Sequence, residues 1–323
     1  AKLFLKEKSN KINALEIGKE SYNMGIKVVS FNNKLYPCRL RNISSPPSIL
    51  FYRGENSQEI LKSDYFISVV GSRNPTEYGK SVTRMIVSDL AKRSVVIVSG
   101  MARGIDSIAH QVALENNGNT IAVLGCGVDV VYPPENRDLM HRIIKNGMVI
   151  SECLPSSKPL KSYFPARNRL ISGLCDSLAI IEASKKSGTM ITAGFAGDQG
   201  RDLFAVPGSI FSPESQGTNQ LIQDGACVLS NASDLLWKYP LNFEETQIYE
   251  SKESVSDVKV KSDTSSEYNK IKSVLLYCEK TLDEIVKLTG LSTGKVTEIL
   301  SIYEINGRII SRNGRFSLTD SYK

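Results

Sequence analysis

Nine consecutive residues, Lys161-Ser162-Tyr163-Phe164-Pro165-Ala166-Arg167-Asn168-Arg169, hold one lysine, two arginines, an amide and two aromatic rings. Cations neutralise phosphates and an aromatic face stacks an unpaired base, the pairing of functions that single-stranded nucleic-acid sites use. The same residues also have a structural reading, in which Phe164 anchors a core and Arg167 and Arg169 form ordinary ion pairs.

Short glycine turns supply the second candidate chemistry. Gly71-Ser72-Arg73, Ser99-Gly100 with Gly104, and Gly125 with Gly127 each follow a β-branched apolar run, and Ser187-Gly188-Thr189 follows another. Bare backbone N–H groups and helix N-termini at such places favour phosphate. A purely local role stays open, with glycine making the tight turn and Ser187 a simple helix cap. The stretch VVGSRNPTEYG has Arg73 where a dinucleotide fingerprint needs its second glycine. A bulky cation there blocks close approach of a pyrophosphate, so no nicotinamide or other cofactor is expected.

Ser99, Asp106 and His110 have the residue types of a hydrolytic triad, yet Asp106 and His110 are one helical turn apart and nothing fixes a Ser–His contact. No catalytic residue is expected. The six cysteines, Cys38, Cys126, Cys153, Cys175, Cys227 and Cys278, form no CxxC pair and do not gather near His110 or His141. That spacing makes no metal site. Most lie in apolar runs such as AVLGC and GACVL, where a free thiol acts as a small core residue, and a reduced cytoplasmic setting is expected.

The elements that must position these residues are legible from Tyr65 onward. YFISVV, VVIVS, TIAVLG, GMVISE, SLAIIE, DLFAVPG and ACVL read as strands, and stretches opening at Thr76, Gly104, Arg137, Arg167, Thr189 and Gly217 read as helices. Strand and helix in alternation imply right-handed crossovers and a mostly parallel sheet covered on both faces. The fold class expected is α/β, extended and Rossmann-like. YPCRLRNISSPPSILFYRG ahead of it offers a Pro-Pro turn and an apolar patch for the sheet edge.

At 323 residues the chain has room for about two domains. Its 41% hydrophobic and 23% charged residues are those of an ordinary globular protein, which excludes wholesale disorder. The longest apolar runs fall far short of the ~20 residues of a membrane-spanning helix. Residues 1–28 read as a partial helical segment, 29–239 as the Rossmann-like domain, 240–267 as a flexible linker, and 268–323 as a small winged-helix domain. The net charge is +7 over residues 1–239, −4 over 240–267 and +3 over 268–323. The linker is polar and Ser-rich; beyond it come helical patterns over 268–276, 281–289 and 292–305, then a hairpin turning at Asn313-Gly314. The sequence opens at Ala1 without an apolar signal region, leaving a natural start upstream open and giving no sign of secretion.

In order, GSRNPTEYG, SGMARGIDSIAH, AVLGCGVDVVYPPEN, SECLP, FPARNRLISGL, EASKKSGTMITA, FAVPG and QGTNQLIQDGA resemble the DNA-processing protein DprA (Smf) family. The resemblance spans about residues 35–240, and the tail is similar to a winged-helix domain that many members carry. It implies a homodimer that binds and protects incoming single-stranded DNA and loads the recombinase RecA onto it during natural transformation. Residue by residue it implies DNA contacts from Gly71, Ser72 and Arg73, from Lys161 and Phe164, and from Arg167, Asn168 and Arg169. Ser99, Gly100, Gly104, Ser187, Gly188 and Thr189 would line the same pocket and offer donors to phosphates. Partly by resemblance, a dimer interface is expected late in the domain, from Leu221, Ile222, Leu235, Leu236 and Trp237.

Two other readings compete. The fold class is similar to that of the cytokinin-activating phosphoribohydrolases, whose PGGxGTxxE motif supplies a glutamate; SGTMIT has Thr192 at that place, and a hydroxyl does not replace a carboxylate base at neutral pH. A transcription factor led by the tail is weaker still, because its recognition-helix candidate pairs Lys295 with Glu298 and Glu304.

Overall fold

The structure, a computed structural model, describes residues 14–236, 266–275, 279–305, 308–312 and 314–319. The chain divides into two compact units, Ala1–Leu241 and Asn242–Lys323.

In the first unit, seven strands repeat the expected series: β3 (Phe66–Val70), β4 (Val96–Ser99), β5 (Thr120–Val123), β6 (Met148–Ser151), β7 (Ser177–Ile180), β8 (Asp202–Ala205) and β9 (Cys227–Val228). Two more precede them, β1 (Lys27–Ser30) and β2 (Ile49–Arg53). The sheet order is β1-β2-β6-β5-β4-β3-β7-β8-β9. β1 pairs antiparallel with β2, β2 antiparallel with β6, and every later pair is parallel. The apolar patch expected to lie against the edge is therefore a strand within the sheet, and the sheet begins at Lys27, inside the segment read as N-terminal. That segment's helix, α1, covers Ala14–Asn23.

Alternation along the strands divides the core between two faces. Phe66 and Val70 of β3 face one side and Ile67 and Val69 the other. The first side is covered by α2 (Cys38–Arg41), α7 (Tyr163–Leu174) and α8 (Gly188–Asp198), with Leu40, Leu170, Ile171, Leu174, Ala193 and Ala196 in the core. The opposite side is covered by α4 (Glu77–Lys92), α5 (Ile105–Glu115) and α6 (Arg137–Asn146). A short helix α3 (Ser57–Leu61) and α9 (Gln216–Gln223) complete the unit. Helix α7 begins four residues before the expected Arg167, taking Pro165 into its first turn; that position is tolerated because first-turn N–H groups have no intrahelical partner. Leu235 and Leu236, expected at a dimer interface, are buried in this unit's own core, and Trp237 lies outside the described residues.

The chain after β3 moves outward through β4, β5 and β6, then returns to place β7 on the other side of β3. Loops leaving β3 and β7 consequently diverge to opposite faces. This switch point opens a crevice at the carboxyl ends of the strands.

The second unit contains α10 (Ser266–Leu275), β10 (Lys280–Thr281), α11 (Leu282–Thr289), α12 (Thr293–Ile305), β11 (Ile309–Arg312) and β12 (Arg315–Leu318). Its three strands form an antiparallel sheet ordered β10-β12-β11, and Ile271, Leu275, Ile285, Val296, Leu300 and Ile309 fill a separate core. Thr281 and Glu284 close the start of α11 with a reciprocal capping box. Most of the linker, residues 240–265, and Asn313 of the expected turn lie outside the described residues; Gly314 takes the positive φ of +74°.

Cys126, Cys153, Cys175 and Cys227 are free thiols.

Candidate nucleic-acid interface

The turn after β3 is fixed from below. Gly104 has φ +75°, and a side-chain carbon there would lie 2.7 Å from the Arg73 carbonyl. The Ile105 N–H donates to the Ser72 carbonyl at 3.1 Å, and the Asn74 N–H donates to Ser72 Oγ at 3.2 Å. Arg73 itself is exposed. Across the crevice, Thr189 Oγ1 donates to the Gly71 carbonyl at 3.1 Å, tying the start of α8 to the end of β3.

Helix α7 bridges the other strand ends. Arg167 is only 5% exposed; its Nη1 donates to the carbonyls of Gly100, at 2.6 Å, and Val123. Gly100 is required there, since a side-chain carbon would sit 2.8 Å from Asp106 Oδ2 and 2.9 Å from Arg167 Cζ. Burial pushes the Asp106 carboxyl above its ordinary range, while the Arg167 charge and the Ala102 N–H, which donates to Asp106 Oδ2 at 3.3 Å, oppose the rise. Arg167 is thus an internal strut and does not face outward with Lys161 as the sequence reading grouped it. Arg169 turns away as well, into an ion pair with Glu152, both largely buried. Asn168 stays at the rim, its Nδ2 donating to the Gly188 carbonyl at 3.4 Å.

Lys161 is exposed, and Phe164 is half-buried on top of Gly125. The Phe164 ring lies 5.2 Å from that of Tyr132, which is 42% exposed. A glycine beneath and an aromatic neighbour beside leave this two-ring platform at the end of β5.

The two helix starts flanking the crevice differ. Thr76 caps α4, accepting from the Gly79 N–H at 3.2 Å, and the buried Glu182 carboxylate accepts from the Thr76 N–H at 3.0 Å and from its hydroxyl. An anion of the protein's own occupies the place a dinucleotide phosphate takes in Rossmann folds. At α8, Ser187 makes no side-chain capping bond and its buried Oγ has no partner; Gly188, Lys185 and Lys186 are exposed. Of the expected hydroxyl donors, Ser99 is fully buried and donates to the Val69 carbonyl at 2.7 Å, and Thr189 is committed to Gly71.

His110 Nδ1 meets Thr120 Oγ1 at 2.6 Å, away from the Ser99 hydroxyl, so the three triad residue types make no relay. Thr192 is buried inside α8. Among the described residues no group of three His, Cys, Asp or Glu is placed to hold a metal ion. No described helix is long and apolar enough to cross a membrane.

Sequence reasoning missed Glu182, Tyr132 and the lysine pair. Lys185 and Lys186 had a usable signal, since they immediately precede the Ser187 turn; Glu182 had none, its partner Thr76 being 106 residues away.

Fold and site together define an extended Rossmann-type protein whose strand-end crevice carries exposed cations at its rim and whose α4 start is capped by the chain's own Thr76 and Glu182. Residues 27–240 match the family DNA recombination-mediator protein A. The chain belongs to that family. It is 40% identical over 216 residues to DNA processing protein DprA of Bacillus subtilis, covering 67% of this chain and 72% of that one. The X-ray structure of DprA from Streptococcus pneumoniae superposes with a TM-score of 0.66 at 40% identity, over 72% of this chain and 80% of that one. DNA processing protein A from Helicobacter pylori, whose structure concerns its single-stranded DNA binding mode, superposes with a TM-score of 0.59 at 34% identity over 65% and 94%.

Proposed function

We propose that the first unit binds single-stranded DNA along the carboxyl edge of its sheet and serves DNA processing in recombination. One observation carries this reading: an aromatic pair, the exposed Tyr132 and the half-buried Phe164, shares a rim with the exposed cations Lys161 and Arg73 and the uncapped start of α8. Bases stack on the rings, and phosphates meet the cations and the free N–H groups of Gly188 and Thr189. A duplex hides its bases, so single strands are preferred. Membership of the recombination-mediator family and the Helicobacter relative's single-strand binding support the substrate class.

The reading includes no reaction. Its biological form is a cytoplasmic homodimer that protects incoming DNA and loads RecA during natural transformation, with the second unit as a winged-helix accessory. In that unit Arg308 lies 5.3 Å from the Tyr303 ring and Arg315 lies 3.9 Å from Glu284.

Fluorescence anisotropy with labelled single-stranded and duplex oligonucleotides tests the site. Arg73→Ala and Lys161→Ala each weaken single-strand binding and reduce the salt slope by about 0.7. Phe164→Ala weakens it about tenfold without changing that slope. Equal affinity for duplex, or wild-type affinity in all three variants, overturns the assignment. Light scattering at micromolar concentration tests the dimer, and a monomer mass removes that part.

A further inference from the structure

We infer that Phe211, with Ile210 beside it, is a second base-stacking platform at the far end of the same strand-end edge; this rests on the single-strand reading above. Phe211 is 88% exposed and Ile210 76%. Among the described residues no large hydrophobic side chain is more exposed than Phe211.

The loop presenting them is braced. The Gly208 N–H donates to Asn219 Oδ1 at 3.2 Å, and Asn219 Nδ2 returns a bond to the Gly208 carbonyl at 3.0 Å. Tyr78 Oη donates to the Pro207 carbonyl at 2.9 Å, and a side chain on Gly208 would overlap Ser215. Within the tip, the N–H groups of Phe211 and Ser212 both donate to Ser209. Two large apolar side chains held in water by a tied loop cost free energy that burial against a ligand recovers.

Position selects the ligand. The Ala183 N–H donates to the Glu214 carbonyl at 2.8 Å and the Gly217 N–H to the Ala183 carbonyl at 2.7 Å, rooting the loop at the end of β7 beside the Lys185-Lys186 turn. Phe164 stands over the end of β5 and Phe211 lies on the loop that follows β8, and those two strands are four spacings, ~19 Å, apart in the sheet. Between them come Arg73 after β3 and the two lysines after β7, all exposed. Aromatics at both ends of a cationic path suit an extended polyanion with a base every few ångströms, and an uncharged protein partner would leave those cations unmatched.

The test uses the full chain with oligothymidylates of about four and about twelve nucleotides, the shorter at the lower end of single-strand site sizes. Phe211→Ala is expected to weaken binding of the longer oligonucleotide about fivefold to tenfold and to leave the shorter unchanged, whereas Phe164→Ala weakens both. Phe211→Trp adds an emitter to a chain with one tryptophan; its emission is expected to be quenched by the longer oligonucleotide alone. Wild-type affinity of Phe211→Ala at both lengths, or an unquenched Trp, overturns the inference while single-strand binding stands. A lower mass by light scattering for Phe211→Ala, with no length-dependent loss, also overturns it by assigning the loop to self-association. No single-strand binding by the wild type defeats the underlying reading, and this inference with it.

Discussion

Helices α4 and α8 start on either side of the switch-point crevice, each carrying the partial positive charge of a helix N-terminus. One is closed by its own chain: Thr76 caps α4 and the Glu182 carboxylate completes the closure. The other is open: Ser187 makes no cap bond, Gly188 is exposed and two lysines precede it. The difference teaches which helix start the chain satisfies by itself: the one after the first parallel strand is filled internally by Thr76 and Glu182, and the one left to solvent follows the strand that returns.

The largest expected effect lies beneath the crevice, at the Arg167 strut of α7. Arg167→Met removes the donor to Gly100 and Val123 and leaves the Asp106 carboxylate buried without its opposing charge. A loss of about 3 kcal/mol or more in chemical denaturation is expected. A loss below about 1 kcal/mol would mean that the strut is dispensable.

A pH signature comes next. Burial and the Arg167 charge pull the His110 pKa from 6.5 to about 3. The unfolded chain takes up the proton near 6.5 and the folded chain does not until about 3, so the stability held by neutral His110 is complete above 6.5 and is lost as pH falls toward 3. The slope is about 1.4 kcal/mol per pH unit. Denaturant midpoints between pH 7 and 5 should therefore fall more steeply for the wild type than for His110→Gln; equal slopes would refute the assignment.

The smallest effects sharpen the helix pair directly. Thr76→Ala should cost about 1 kcal/mol, the ordinary value of a lost cap, and Ser187→Ala close to none. Equal costs would mean that Ser187 caps α8 in solution. Raising sulfate from low concentration should stabilise the wild type in a manner insensitive to Thr76→Ala and diminished by replacing Lys185 and Lys186 with Ala. A sulfate response that survives the double lysine variant places the anion elsewhere.

The parallel strands β3 to β7 were legible because strands buried on both faces are near-continuous apolar runs. β1 and β2 were not, because ILFYR follows a Pro-Pro pair and its second partner, β6, lies about a hundred residues on. The Arg167 strut had a signal that went unused: Arg167, Leu170, Ile171 and Leu174 recur at helical spacing, which puts the arginine on the buried face. Phe164, three residues before Arg167, is on the same stripe and reaches the rim only because α7 starts there. The closure of α4 stayed hidden because an acid ending the run SLAIIE looks like any solvated strand terminus.

The left-handed Gly104 pressed beneath Arg73 also bears on thermodynamics. With Gly104 packed against it and the Ser72 carbonyl held by the Ile105 N–H, the main chain of this turn is already ordered, so in the proposed DNA contact only the Arg73 side chain is left to order and the usual main-chain loss of about 1–2 kcal/mol per residue is spared.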